Sequence, residues 1–95
     1  MRGWLLDIGM KSPATARAVR GKAREGQLAA IVIACENFAA RSQVCEPLWL
    51  KVTARGETML VGTVTSKPHY GYLHGVAKGQ TIQFEPRHIT AVASS

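Results

Sequence analysis

The chemically richest stretch of the sequence is Lys67-Pro68-His69-Tyr70-Gly71-Tyr72-Leu73-His74. Tyrosine and histidine rings in a glycine-containing loop suit stacking on nucleic-acid bases, with Lys67, Lys78 and Arg87 nearby to meet phosphates. Tyrosine is equally an anchor of protein–protein interfaces. A third reading is architectural: Tyr70, Tyr72 and Leu73 would close one end of a small barrel. A basic feature lies upstream. Arg17, Arg20 and Arg24 are spaced i, i+3, i+7 and on a helix share one face. That stripe is either a grip on phosphates or a solvated surface. Arg17, Arg20, Arg24, Lys67, His69, Tyr70, Tyr72, His74 and Arg87 are therefore the candidate binding residues.

Other chemistry finds little to build on. A zinc site needs three or four convergent ligands, usually as short-spaced pairs. His69, His74 and His88 offer no such pair, so no metal and no cofactor is expected. His88 is expected to hydrogen-bond backbone in its turn. Cys35 and Cys45 read as reduced thiols, Cys35 as a small buried hydrophobe; a bridge between them is open on spacing alone. A nucleophilic cysteine needs a neighbouring base, and none is adjacent. The six acidic residues, Asp7, Glu25, Glu36, Glu46, Glu57 and Glu85, form no evident acid–base pair. A glycine-rich phosphate loop and a nucleophile elbow are both missing. The chain reads as a binding module rather than an enzyme.

The elements that must position these residues follow from composition. The 95 residues fit one domain, 1–95, and carry a net charge of +6. Residues 1–45 hold seven basic and three acidic residues and nine of the thirteen alanines. After Pro47, β-branched residues, threonine and glycine dominate. The pattern predicts a helical part, 1–45, and a β part, 46–95. Ser12-Pro13 is a helix start, with Ala14–Arg24 as the first helix and Gly26 as its stop. Leu28, Ile31, Val32, Cys35 and Phe38 fall at i, i+3, i+4, i+7 and i+10, which predicts a second, amphipathic helix over 27–40.

In the β part, Leu48, Leu50 and Val52 alternate with Trp49, Lys51 and Thr53. A second strand spans Thr58–Thr65, with Gly62 suited to a bend or bulge. Thr81–Glu85 is a third strand, Pro86-Arg87-His88 a short turn or 3₁₀ step, and Ile89–Val92 a closing strand. No apolar run approaches about 18 residues, so no membrane helix is expected, and Met1–Asp7 is too short for a secretory segment. These features predict a cytoplasmic protein.

Glu46-Pro47-Leu48-Trp49-Leu50-Lys51-Val52 resembles the "(Met/Leu)-Trp-(Val/Leu)-x-Val" opening of a group of small bacterial domains of unknown function. Gly62-Thr63-Val64-Thr65-Ser66-Lys67-Pro68 is similar to their "Gly-x-Leu-x-Asn-x-Pro" step. Lys78-Gly79-Gln80-Thr81-Ile82-Gln83-Phe84 resembles their "Gly-Asp-x-Val-x-Phe" turn and strand, and His88-Ile89 their closing pair. The resemblance covers about residues 46–92, with Ser66 and Gln80 as departures at turns. It implies a small SH3-like barrel with a helix packed on it and a core tryptophan, and no activity.

The fold expected is thus α+β: two N-terminal helices packed on a small, strongly bent antiparallel β-sheet or SH3-like barrel of about five strands. The function expected is a small non-enzymatic binding module, a protein-binding adaptor or inhibitor, with carriage by a phage or mobile element as a variant. The alternative is a nucleic-acid-binding protein that uses the basic helix and the Tyr/His loop.

Overall fold

The structure, a computed structural model, describes residues 3–6 and 24–93. The first predicted helix, with Arg17 and Arg20, lies outside the described residues. Arg24 is described and is exposed in a turn, where its N–H donates to the Gln27 side chain at 3.1 Å.

The segment expected as a second helix is a strand, β2 (Leu28–Asn37). Leu28-Ala29-Ala30-Ile31-Val32-Ile33-Ala34-Cys35 is apolar throughout, and such a run fits a strand buried on both faces as well as it fits a helix. The β-branched trio Ile31-Val32-Ile33 decides between them, because branching at Cβ restricts these side chains in a helix and suits a pleated surface. Alternation splits the supposed helical stripe. Ala29, Ile31, Ile33 and Cys35 point to one face, and Ala30 and Ala34 are buried on the other. Phe38 falls in the following turn and is 86% exposed.

β2 forms a ten-pair antiparallel ladder with β3 (Ser42–Arg55), running from Leu28 opposite Lys51 to Asn37 opposite Ser42. β4 (Leu60–Val64) and β5 (Thr81–Phe84) continue the meander. β1 (Trp4–Leu5) and β6 (Ala91–Ala93) share the outer edge of β2, one at each end. The α+β expectation is therefore corrected. The described chain is a curled antiparallel sheet, a half-barrel, and its only α-helix is one turn, α1 (Gly71–His74). The strands expected after residue 47 do form, as do the 3₁₀ step Pro86–His88 and the closing strand.

The curl has a local origin. The β3–β4 register shifts between Val52 and Ala54, a bulge that bends the strand. Gly62 sits beside it. A Cβ there would lie 3.0 Å from Leu50 Cβ and 3.2 Å from Phe84 Cε1, so any larger residue has to push these neighbours back by a few tenths of an ångström. The concave face holds the core: Ile31, Ile33, Leu48, Leu50, Val52, Leu60, Val64, Val76, Ile82, Phe84 and Ile89. Trp49 is not in it. Alternation turns Trp49 to the opposite face, where it is half-buried beside Leu28, Thr65, Ser66 and Ala93.

Candidate functional site

β3 has 14 residues and β4 only five, so the first half of β3 extends past β4. The chain leaving β4 is fastened to that overhang. Thr65 N–H donates to the Trp49 carbonyl at 2.8 Å, and Trp49 N–H donates to Ser66 Oγ at 3.1 Å. The segment then crosses the sheet, and α1 packs against β2. It returns through Gly75, whose φ of 78° is left-handed and costs glycine little. Val76 enters the core, and Gly79 N–H donates to the Val64 carbonyl at 2.8 Å.

A buried carboxylate holds this loop in place. Stepping back by two from Leu50 and Leu48 puts Glu46 on the core face, only 4% exposed. A carboxylate there is costly unless it is hydrogen-bonded. Three donors converge on it: the His69 N–H, the Tyr70 N–H at 3.1 Å, and His74 Nε2 at 2.9 Å. His74 is fully buried, and its other ring nitrogen, Nδ1, accepts the Val76 N–H at 3.0 Å. That bond leaves Nδ1 without a proton, so Nε2 carries it and donates to Glu46. Burial pushes the Glu46 carboxyl upward, but the His74 bond and the two backbone bonds outweigh it and hold the carboxyl below its ordinary value.

The latched loop presents aromatic surface. Tyr72 is 74% exposed, and its ring centroid lies 6.3 Å from that of the partly exposed Tyr70, the planes tilted by 45°. Tyr72 and Leu73 form one bank of a cleft of about 310 Å³, and Glu36 and Asn37 at the end of β2, with Phe38 and Ala39 of the turn that follows, form the other. The turn is braced by Ala40 N–H donating to Asn37 Oδ1 at 3.3 Å, and Arg41 leaves it at φ 52°. A second groove, of about 470 Å³, runs along Lys67, Pro68, Gly71, Gly75, Val76, Ala77 and Lys78.

The candidate residues thus separate. Lys67, His69, Tyr70 and Tyr72 are exposed on the loop. His74 lies inside, its ring occupied by Glu46 and Val76. Arg87 is exposed within the 3₁₀ step, where Nε and a terminal nitrogen both bond Glu85 at 2.8 Å. His88 accepts the Glu85 N–H at Nδ1, at 3.0 Å. Cys35 and Cys45 are free thiols, one buried and one exposed. Their strand positions put them on opposite faces: Cys45 is paired with Ala34, and Cys35 with Val44. Among the described residues no three His, Cys, Asp or Glu side chains gather as a metal site, and no helix is long and apolar enough to cross a membrane.

Sequence reasoning missed Glu46 and Phe38. Glu46 was legible by extending the Leu48–Leu50–Val52 alternation one step back. Phe38 was hidden by its place in a helical stripe that does not form. No family model, curated protein or solved structure matches the chain.

Proposed function

We propose that the chain is a non-enzymatic protein-binding module, an adaptor or inhibitor acting in the cytoplasm, that meets its partner with the Phe38–Tyr72 face. The observation that carries this is the exposure of two large aromatic rings, 86% and 74%, on facing banks of one cleft. Single exposed hydrophobics are ordinary on a soluble protein. Two together, joined by a third at Tyr70, are the kind of aromatic group that anchors an interface. The scaffold supports the same reading. One bank is a braced hairpin turn and the other is held by Glu46, so little loop freedom remains to be lost on binding.

The test is affinity capture from native lysate. The wild-type chain is expected to recover one stoichiometric protein. Phe38→Ala and Tyr72→Ala are each expected to lose it while keeping the wild-type unfolding midpoint. Recovery of nucleic acid alone, or a protein retained equally by both variants, refutes the proposal.

A further inference from the structure

We infer that the cleft between the β2–β3 turn and α1 receives a cationic side chain of the partner, arginine above all; this deepens, and rests on, the protein-binding role proposed above. The charge of the cleft points there. Among the described residues that line it, Glu36 is the one with a charge, on a chain whose net charge is +6. Glu36 is exposed and takes part in no ion pair among the described residues. A carboxylate left free between an exposed phenylalanine and an exposed tyrosine is suited to a group that is both apolar and positive.

Arginine has both properties. Its methylene stem covers apolar surface while its head stays charged. The guanidinium is planar, stacks on aromatic faces, and matches a carboxylate with two parallel donors. Phe38 and Leu73 would take the stem, Tyr72 the face of the guanidinium and Glu36 its edge. Size agrees. Pockets for whole small molecules run from roughly 300 to 1,000 Å³. At about 310 Å³ this cleft is at the bottom of that range and fits one long side chain. The same carboxylate disfavours a phosphate here, so the cleft selects protein over nucleic acid.

The test titrates the full-length, isotope-labelled chain with the peptide acetyl-Gly-Arg-Gly-amide, followed by backbone amide shifts. Two control peptides carry citrulline, which keeps the arginine shape without its charge, or leucine. Saturable shifts confined to Glu36–Ala39 and Tyr72–Leu73 are expected, with the arginine peptide binding about tenfold more tightly than the citrulline one. Glu36→Gln is expected to remove that tenfold preference with the amide spectrum otherwise unchanged. If all three peptides shift the cleft equally, the cationic anchor is wrong and the protein-binding face stands. If no peptide shifts the cleft, or the shifts gather at Lys67 and Lys78, the inference fails together with the role assigned to that face.

Discussion

Removing the Glu46 carboxylate is the sharpest test of the latch. Glu46→Ala strands three donors at once: the His69 and Tyr70 backbone N–H groups and the His74 ring N–H. Each buried donor without an acceptor costs about 1–3 kcal/mol. The two backbone groups are only partly buried, and water reaches them if the loop lifts, so the sum of three such losses falls to about 3–5 kcal/mol. A chain of 95 residues has a total stability of roughly 5–14 kcal/mol, so the variant loses a large share of it. Glu46→Gln keeps the shape but turns an amide N–H₂ toward one of the three donors, and costs about 2–3 kcal/mol. That donor is the His69 backbone N–H at the Oε2 position, which cannot switch to accepting. In urea unfolding followed by tryptophan fluorescence, a slope near 1.5 kcal/mol per M converts the alanine loss into a midpoint drop of about 2–3 M at pH 7. The effect also has a pH signature. The folded carboxyl titrates below its ordinary value of 4.5, so its contribution is complete above that pH. It is lost as pH falls through the lower folded value. The gap between wild type and Glu46→Gln must therefore narrow below about pH 4. A midpoint drop under about 0.5 M at pH 7, or a gap that stays constant down to pH 3, would refute the latch.

Three further outcomes follow from the packing. Gly62→Ala pushes a methyl group against Leu50 and Phe84 and is expected to cost about 1–3 kcal/mol in the same unfolding assay; a neutral result would show that the curl does not depend on this approach. Trp49→Ala, on the half-buried outer face, is expected to cost about 1–2 kcal/mol, below the roughly 3–5 kcal/mol of a core aromatic such as Phe84→Ala, and equal losses would put Trp49 in the core after all. A water-soluble disulfide reagent is expected to label one thiol of the native protein quickly, Cys45, and the second, Cys35, only in denaturant; two fast thiols would contradict the burial of Cys35.

The β part of the fold was legible because its signals are local. Leu48, Leu50 and Val52 alternate against Trp49 and Lys51, Gly62 marks the bend, and Pro86 starts the 3₁₀ step. The N-terminal part misled for a physical reason. Alanine favours helix as an isolated residue, yet Ala29, Ala30 and Ala34 in β2 are small residues buried between the faces of a sheet. Tertiary burial outweighs propensity there, and a run without polar residues carries no period to warn of it. At the site, the exposed tyrosines were legible as an unusual composition. The Glu46–His74 contact joins residues 28 apart, across a loop with no periodicity, and spacing rules do not reach that far.

The closing strand gives the fold a particular order of making and breaking. The ladders from β2 to β5 join neighbours in sequence, whereas Thr90 bonds the Ala30 carbonyl across 60 residues, through both its N–H and its hydroxyl. Closing a free loop of that length carries a full entropic penalty. With the meander already formed, only the short corner from Phe84 to Ala91 is left to arrange, and the reciprocal Glu85–His88 bonds at Pro86 hold that corner rigid. β6 has three residues and, among the described strands, pairs only with β2, so it rests on few backbone bonds of its own. The half-barrel is thus a sheet with a detachable hem. β6 joins after the meander and opens before it, and its amides exchange with solvent through local opening while those of β2 and β3 wait for the whole sheet to unfold.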